Sequence, residues 1–447
     1  MNLHRLLWQR AEAGRPIRVG LIGAGKFGTM FLAQARFTPG LHVLAVADLQ
    51  PERARRFMRD AGWPDEQMDA SDFERASTTG RTHLTDDSAA LIGASGLDVV
   101  VEATGDPRAG TRHALAAFEH GRHVVMVNVE ADVLVGPALA ARARQAGLVY
   151  SLAYGDQPAL ICEMVDWARA SGFTVVCAGK GTRYLPQFHQ STPRTVWQHF
   201  GITAAAAEAA GMNPKMFNSF VDGTKSGIEM AAVANATGLE PQERGLSFFP
   251  CGTHDLARVL RPAAIGGQLE REGTVEVISD LERDGRHVHA DLRQGVYVTF
   301  RAPTDYAAAC FAQYGVTTDP SGEVAALWRP FHLIGLELGI SIASAALRGE
   351  PTGAPAGYRA EVAATAKRDL AEGEILDGEG GETVWGRLLP AALARGENAL
   401  PIGLAHGVRL RRRVAAGARL SSADVELDAT DPVVQLRQSM TRINNSV

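Results

Sequence analysis

Three glycines near the N-terminus have the spacing of a dinucleotide phosphate site. Gly23, Gly25 and Gly28 form G-x-G-x-x-G directly after the apolar run 17–22. In this pattern the first glycine permits a tight turn, the second lets a pyrophosphate approach the backbone, and the third lets the helix pack on the strand. A second apolar run ends at Asp48, about 20 residues on, where an acid can hold a ribose hydroxyl. We expect a dinucleotide at this turn; the alternative is a glycine turn in another α/β unit.

Hydride transfer beside a nicotinamide ring also needs a group that polarises the substrate oxygen, such as a lysine, a histidine or a metal ion. The candidate catalytic residues follow strands or open a helix, and they are Lys225, Asp222, Asp156 and Glu130. Glu130 and Asp156 are also the carboxylates expected to hold a divalent metal, Mg²⁺ or Mn²⁺. Ordinary alternatives remain open, because Asp156 and Asp222 could each cap a helix and Lys225 could be a solvated surface lysine.

Basic residues in two polar segments predicted as loops are candidates for binding a substrate phosphate or carboxylate. They are Lys180, Arg183 and Lys215, and the alternative for each is an ordinary exposed charge. His254 is a weaker acid–base candidate. The chain shows neither a Ser-His-Asp arrangement nor metal-histidine spacing, so a hydrolase has little support.

The elements that must position these residues alternate between strand and helix from about 18 to 150, which predicts an α/β fold with a Rossmann-type doubly wound parallel sheet. Apolar runs at 98–103, 123–128 and 148–152 predict further strands. Ligands of such sheets bind beyond the carboxyl ends of the strands. The expected nucleotide-binding residues are therefore Gly23, Gly25, Lys26, Phe27, Gly28, Asp48, Thr104, Gly105 and Asn128. Glu102 lies inside a strand and fits a structural or a functional carboxylate equally well.

Length, net charge and cysteine content limit the class of protein. The 447 residues are enough for two or three domains, and the net charge of −5 points to neither a nucleic-acid nor a membrane partner. The four cysteines are far apart, which is typical of a reducing cytoplasm. The first 15 residues do not have the pattern of a secretion signal. The apolar run 333–347 is too short to span a bilayer and predicts a buried core helix.

Three domains are expected. Residues 1–154 form the dinucleotide-binding domain, 155–350 an α+β substrate and oligomerisation domain, and 351–447 a small β-rich domain opened by a proline- and glycine-rich run. In the last domain, residues 368–376 recur at 412–420 with four of nine positions identical. Both copies predict a strand, a glycine turn and a second strand. We also expect a homo-oligomer.

Parts of the chain resemble known families. The stretches 23–28, 99–105 and 124–128 resemble the nucleotide-binding domain of homoserine dehydrogenase. Asp222 and Lys225 resemble that family's Asp–Lys pair at a spacing one residue shorter, while Val129 stands where the family has a lysine. The last domain resembles the SAF domain, a β-clip fold. With 128–132 and 154–158, this combination resembles the bacterial 1-deoxy-D-xylulose 5-phosphate reductoisomerase-like proteins over nearly the whole chain.

This resemblance implies a metal-assisted, NADPH-dependent rearrangement and reduction that yields 2-C-methyl-D-erythritol 4-phosphate for isoprenoid synthesis. The substrate is then a small phosphorylated or sugar-derived molecule. NADP(H) is favoured over NAD(H), although Asp48 would repel a 2′-phosphate; Arg53, Arg55 and Arg56 lie just beyond it and could accommodate one. Two other hypotheses stay open: a dehydrogenase of a small hydroxy acid or polyol, and a nucleotide-sensing binding protein that uses the SAF-like module.

Overall fold

The computed structural model describes residues 2–209 and 212–440. The chain divides into two compact units, one of residues 1–160 with 332–356 and one of residues 161–331 with 357–447. In the part of the chain that is described, no helix is long and apolar enough to cross a membrane.

The strands, in chain order, are β1 (Ile17–Ile22), β2 (Leu41–Ala47), β3 (His83–Thr85), β4 (Val99–Glu102), β5 (His123–Met126), β6 (Tyr150–Leu152), β7 (Thr174–Thr182), β8 (Glu240–Pro241), β9 (Phe249–Pro250), β10 (Thr274–Ser279), β11 (Val296–Arg301), β12 (Val324–Arg329), β13 (Ala360–Ala366), β14 (Ile375–Asp377), β15 (Val384–Pro390) and β16 (His406–Arg409).

The helices are α1 (Leu3–Glu12), α2 (Lys26–Ala35), α3 (Pro51–Asp60), α4 (Phe73–Thr79), α5 (Ser88–Gly93), α6 (Pro107–Glu119), α7 (Val129–Gln145), α8 (Gln157–Ala170), α9 (Val196–Phe200), α10 (Ala204–Ala209), α11 (Pro214–Val221), α12 (Thr224–Thr237), α13 (Leu256–Val259), α14 (Asp305–Gln313), α15 (Gly339–Arg348), α16 (Ala391–Gly396) and α17 (Pro432–Met440).

The first unit is built on a parallel sheet with strand order β3-β2-β1-β4-β5-β6. The chain leaves the central strand β1 toward one edge and then returns to build the other edge, which is the doubly wound topology. The apolar runs predicted as strands at 17–22 and 41–47 are β1 and β2. Strands buried on both faces read as continuous apolar runs, and β4 is wholly buried. The predicted α/β fold is therefore confirmed.

Two helices of this unit begin earlier than the sequence patterns indicate. The sequence patterns predict helices at 113–120 and 137–145, but α6 begins at Pro107 and α7 at Val129. The side chain of Asp106 accepts a hydrogen bond from the Ala109 N–H at 2.7 Å, and that of Asn128 accepts from the Ala131 N–H at 3.1 Å. These caps satisfy backbone donors at the helix starts, which places Glu130 in the first turn of α7.

A late segment of the chain completes the first unit. Leu338 and Ile342 at the start of α15 are buried in the same core as β1, and Ser341 Oγ accepts a hydrogen bond from the Tyr154 N–H at 2.8 Å. The predicted helix 333–347 is wrong in its first turns, because α15 begins only at Gly339. Gly335, with a φ of 74°, interrupts the run in a conformation that a helix does not contain.

The second unit carries a mixed sheet of order β12-β11-β7-β10-β8, with β9 beside β10. Its central strand β7 runs on to Thr182, so the prediction of a loop around Lys180 is wrong. A Cβ at Gly179 or Gly181 would overlap the carbonyl oxygen of Glu276 or Leu292. The glycines allow close packing of neighbouring backbone rather than a turn. Lys215 likewise lies on α11 and not in a loop.

Residues 357–440 pack into this unit through α12. Thr224 Oγ1 accepts a hydrogen bond from the Gly386 N–H at 2.8 Å, and Asn235 Oδ1 accepts one from the Ala360 N–H at 3.0 Å. The two copies of the internal echo pair with each other, since Leu370 and Val414 exchange backbone hydrogen bonds of 2.8 and 3.0 Å. The tail, which no sequence pattern assigned, forms α17 through Met440.

Candidate active site

The glycine-rich turn joins β1 to α2, and each glycine has a distinct environment. Gly23 has a φ of 96°, and a Cβ there would lie 2.6 Å from the Ala103 carbonyl oxygen. A Cβ at Gly28 would overlap the Gly23 carbonyl oxygen, whereas a Cβ at Gly25 would meet no atom within 4 Å. The turn therefore leaves space at Gly25 beside the N–H groups that open α2, an arrangement that can hold a phosphate.

Asp48 closes this turn from the end of β2. Its Oδ2 accepts a hydrogen bond from the Ala24 N–H at 2.9 Å, and its Oδ1 accepts one from the Gln50 N–H at 2.9 Å. The Arg53 guanidinium lies 3.1 Å from Oδ1, with its side chain 42% exposed against 5% for Asp48. The carboxylate thus holds the turn in place and is paired with a cation that remains accessible to a ligand.

A polar network lies where β4 and β5 end. Glu102 is fully buried, and its Oε1 accepts hydrogen bonds from Thr104 Oγ1 at 2.6 Å and from His113 Nδ1 at 3.2 Å. Asn128 Nδ2 donates to the Asp106 carbonyl oxygen at 2.8 Å. Among the described residues, Glu102 Oε2 has no hydrogen-bond partner. This network orients Thr104 and Asn128 at the carboxyl edge of the sheet, where a cofactor ring binds in such folds.

The two carboxylates predicted to hold a metal lie near the same edge. Glu130 is partly exposed in the first turn of α7, and Asp156 is 9% exposed, with its Oδ1 accepting from the Gln157 N–H at 2.9 Å. Within residues 2–209 and 212–440, no three His, Cys, Asp or Glu side chains form a group that could hold a metal ion.

In the second unit, Asp222 forms a buried ion pair that the sequence did not indicate. Its Oδ2 lies 2.7 Å from Lys367 Nζ, and the side chains are 0% and 2% exposed. Lys367 also donates to the carbonyl oxygens of Ser191 and Gly381 at 2.6 and 2.7 Å. Burial raises the pKa of Asp222, an effect that the charge of Lys367 opposes. Gly223 occupies the N-cap position of α12, although Asp222 Oδ1 accepts from the Thr224 N–H at 2.9 Å.

The three predicted phosphate-binding cations all have partners in this unit. Lys180 forms an ion pair with Glu229 of α12 in which both side chains are buried. Arg183 lies 3.1 Å from Asp280 with 28% of its side chain exposed. Lys215 donates to the Asp377 carbonyl oxygen. Lys225 is partly exposed in the first turn of α12, and His254 is exposed in a short 3₁₀ turn.

Lys367 is the residue that sequence reasoning missed in this unit. It directly follows the wholly buried strand β13. A lysine at that position signals a buried partner, because an unpaired ammonium is costly to remove from water. The identity of that partner has no local signal, since Asp222 is 145 residues away in the chain.

Two family models match the chain. One, described as the NAD-binding domain of homoserine dehydrogenase, matches residues 19–152, and the other, described as the catalytic domain of the oxidoreductase DRL, matches residues 155–338. The chain is an NAD(P)-dependent oxidoreductase. The expected enzyme class and nicotinamide cofactor are thereby confirmed, and the first match contains the glycine-rich turn, Asp48 and the network around Glu102.

Solved structures share limited similarity with this enzyme. An oxidoreductase from Agrobacterium radiobacter in complex with NAD⁺, L-tartaric acid and magnesium is 18% identical over 38% of this chain and 44% of that one, with a TM-score of 0.28. The enzyme therefore spans less than half the length of that protein. A myo-inositol dehydrogenase from Lactobacillus casei in complex with NAD(H) and myo-inositol is 14% identical over 64% and 71%, with a TM-score of 0.36. An NAD binding oxidoreductase from Klebsiella pneumoniae is 17% identical over 72% and 67%, with a TM-score of 0.33. No curated protein sequence matches.

Replacing Gly25 with valine is expected to weaken NADPH and NADH binding about 100-fold, which corresponds to about 2.7 kcal/mol. Its φ of −72° suits any residue, and the added side chain meets no protein atom near Cβ. The fold should therefore persist while the side chain fills the space for the pyrophosphate. Titration of cofactor fluorescence measures the dissociation constants. Gly396→Val is a matched control, because a Cβ there also meets nothing within 4 Å. Unchanged cofactor affinity in Gly25→Val would contradict this placement of the phosphates.

Proposed function

We propose that this enzyme uses NADPH to rearrange and reduce 1-deoxy-D-xylulose 5-phosphate, or a related ketose, to 2-C-methyl-D-erythritol 4-phosphate in isoprenoid precursor synthesis. In the reduction, hydride passes from the nicotinamide to a carbonyl carbon and the oxygen takes up a proton. The observation that carries the proposal is the open backbone at Gly25, inside the segment that matches an NAD-binding family. The match of residues 155–338 to the catalytic domain of the oxidoreductase DRL supports an oxidoreductase, and the reductoisomerase part rests on the sequence resemblance.

Roles follow from the environment of each residue. In the first unit, the backbone of the turn binds the pyrophosphate, and Thr104, Gly105 and Asn128 bind the nicotinamide end. In the second unit, Lys225 polarises the carbonyl oxygen, and two cations, Arg183 and Lys215, hold the substrate phosphate. We assign Asp222 and Lys180 to stabilising the unit, because both are held in buried ion pairs.

Mg²⁺ or Mn²⁺ would polarise the substrate oxygens if the enzyme uses a metal. Glu130 and Asp156 supply only two carboxylates, and the described residues contain no larger group of ligands. The residues present thus do not form a closed metal site, so we derive no step through a metal, and the ion enters only as a variable of the assay.

A preference for NADP(H) over NAD(H) is supported by the pairing of Arg53 with Asp48. An unpaired carboxylate at the end of β2 would repel a 2′-phosphate. The Arg53 guanidinium, 3.1 Å from Asp48 Oδ1, offsets this charge and keeps an exposed face for the phosphate. We also propose that the enzyme is a cytoplasmic homo-oligomer.

Arg53→Ala is expected to raise the KM for NADPH about 10-fold and to leave that for NADH within about twofold. The substitution removes one charge-assisted hydrogen bond to the 2′-phosphate, worth about 1.5 kcal/mol. It also leaves the negative charge of Asp48 without the arginine that offsets it. Steady-state kinetics with both cofactors measure the change. Arg59→Ala is the control, since this arginine of the same helix pairs with Asp65 at 2.6 Å. An equal rise in the KM for NADPH and for NADH would contradict a role of Arg53 in recognising the 2′-phosphate.

A dehydrogenase of a small polyol or hydroxy acid is the second candidate. It is favoured by the ion pairs of Lys180 with Glu229 and of Arg183 with Asp280, which leave less positive charge for a phosphate. The third hypothesis, a binding protein that senses nucleotides, loses support because both family matches are to oxidoreductases.

One experiment separates the two enzymatic candidates. The purified enzyme is assayed with NADPH and NADH side by side, against 1-deoxy-D-xylulose 5-phosphate, with and without Mg²⁺ and Mn²⁺ and at several pH values. A panel of polyols and hydroxy acids is run in the oxidative direction. NADPH oxidation that depends on the sugar phosphate supports the reductoisomerase. Reversible oxidation of an unphosphorylated alcohol, with no turnover of the sugar phosphate, selects the dehydrogenase and overturns the reductoisomerase.

A further inference from the structure

A cavity of about 240 Å³ lies in the second unit, and none of the residues given a catalytic or phosphate-binding role above lines it. Its wall includes Gly223 at the start of α12, His189, Phe248, and the β15 residues Trp385 and Arg387. Arg244 completes the rim. Because a water molecule takes up about 30 Å³ of liquid, the space corresponds to about eight waters, enough for a compact organic molecule.

One wall of this cavity is a rigid aromatic surface. The His189 and Trp385 rings stack with centroids 3.9 Å apart and planes at 22°. His189 Nδ1–H donates to the Asp222 carbonyl oxygen at 2.7 Å, and Nε2 accepts from the Tyr184 hydroxyl at 2.9 Å. Burial lowers the pKa of His189 to about 4, so the ring is neutral near pH 7. The ring is thus fixed in orientation and presents an uncharged face.

The backbone behind this wall is held in an unusual conformation. Phe248 has a φ of 52°, a strained conformation that is rare for a bulky residue. Its N–H and that of Ser247 donate to Glu276 Oε1 at 3.3 and 3.0 Å. The Phe248 ring stacks on Tyr184 with centroids 4.0 Å apart. Buried hydrogen bonds and stacking therefore hold a strained residue at the cavity wall, and such strain concentrates at ligand sites.

The rim carries two guanidinium groups, those of Arg244 and Arg387, that have no described carboxylate within ion-pair distance. Arg387 donates through one nitrogen to the Arg244 carbonyl oxygen at 2.9 Å. Among the described residues, neither Arg244 nor Arg387 forms an ion pair with a carboxylate, while the neighbouring Arg419 is paired with Glu397. Burial and the charge of Arg419 lower the pKa of Arg387. A half-buried cation of this kind has donors that an anion would satisfy.

We propose that this cavity, the aromatic–arginine pocket, binds a small organic anion that has a flat or apolar face. The phosphate or carboxylate of the ligand lies between Arg244 and Arg387, and its face packs against the His189–Trp385 stack. Arginine matches both anions through its planar array of donors. The proposal goes beyond the proposed function and does not depend on it, because it concerns binding without turnover.

Binding to the full chain tests the proposal by calorimetry and ligand-observed NMR, with NADP⁺ present to occupy the nucleotide site. The probes are phenyl phosphate, benzoate, inorganic phosphate and the uncharged benzyl alcohol. We expect saturable binding of phenyl phosphate or benzoate, about 10-fold or more tighter than benzyl alcohol and weakened by salt. Phenyl phosphate alone identifies a phosphate ligand, and benzoate alone a carboxylate. Saturation by neither aromatic anion, or equal binding of benzyl alcohol, overturns the proposal.

Variants locate the binding. Arg244→Met and Arg387→Met should each weaken binding of the aromatic anion about 10-fold. Trp385→Leu should weaken binding of the aromatic anion more than binding of inorganic phosphate. Arg413→Met is the matched control, because that guanidinium is exposed elsewhere in the same unit. Arg244 is itself exposed, so its variant should fold even if Arg387→Met does not. Unchanged affinity in a folded Arg244→Met protein shows that the anion binds at another site and overturns the proposal.

Discussion

Lys367→Met is expected to lower the free energy of unfolding by about 3–5 kcal/mol. The substitution leaves the Asp222 carboxylate, which is 0% exposed, without its cation, while its hydrogen bonds from Thr224 remain. The carbonyl oxygens of Ser191 and Gly381 lose a donor as well. Urea denaturation followed by circular dichroism measures the change. An exposed ion pair provides the control: Arg413 lies 2.7 Å from Asp369 with side chains 74% and 58% exposed, and Arg413→Met should cost less than about 1 kcal/mol.

The double variant Asp222→Asn with Lys367→Met completes a cycle. Removing both charges should recover part of the loss, because no uncompensated charge then remains in the interior. A Lys367→Met protein as stable as Arg413→Met would contradict the ion pair. Asp222→Asn alone separates a structural from a catalytic role. A catalytic Asp222 would lose turnover at unchanged stability, whereas a structural one loses stability first.

Asp132→Asn is expected to remove a pH-dependent component of stability from the first unit. Asp132 is fully buried in α7; its Oδ1 accepts from the Tyr150 hydroxyl at 2.8 Å, and its Oδ2 has no partner among the described residues. Burial raises the pKa of this carboxyl to about 7, with the Tyr150 hydrogen bond acting in the opposite direction. In the unfolded chain its pKa is about 3.9.

Folding favours the protonated form of the Asp132 carboxyl. Because the pKa is raised on folding, the stabilisation is fully present below pH ~4 and is lost as the pH rises through ~7. Three pKa units correspond to about 4 kcal/mol, and the positive end of α7 favours the charged form and reduces this. From pH 4.5 to pH 8, the free energy of unfolding of the Asp132→Asn variant should therefore rise by about 2–4 kcal/mol relative to that of the parent enzyme. Urea denaturation across this range measures the gain, with the exposed Asp284→Asn as control. Parallel pH profiles for parent and Asp132→Asn would contradict the buried carboxyl.

Local patterns predicted the first unit well. The strands β1 and β2 coincide with the apolar runs 17–22 and 41–47, because strands buried on both faces need uninterrupted apolar sequence. Helix starts were predicted poorly. The starts of α6 and α7 depend on single side chains, Asp106 and Asn128, that turn back to cap the helix. A hydrophobic pattern does not register such a cap, so its prediction began one to two turns late.

Glycine has different structural roles in the two units. At Gly23 a positive φ makes a turn, as its spacing predicted. At Gly179 and Gly181, either side of Lys180, the backbone is a central strand, and the missing side chains admit the carbonyl oxygens of neighbouring segments. The sequence around Lys180 looks like a polar loop. Only the packing of β10 and the 292 region against β7 shows that this stretch is a strand and that Lys180 is buried.

The sequence by itself determined the cofactor class and the parallel sheet, since both follow from interactions between residues close together in the chain: a glycine turn, an acid at the next strand end and continuous apolar strands. Only the tertiary structure decided which charged residues remain available to a ligand. Lys180 is paired with Glu229, 49 residues away, and Asp222 with Lys367, 145 residues away. A charge is neutralised by an opposite charge that lies within a few ångströms of it in the folded chain. The number of residues between the two in the sequence does not determine that distance.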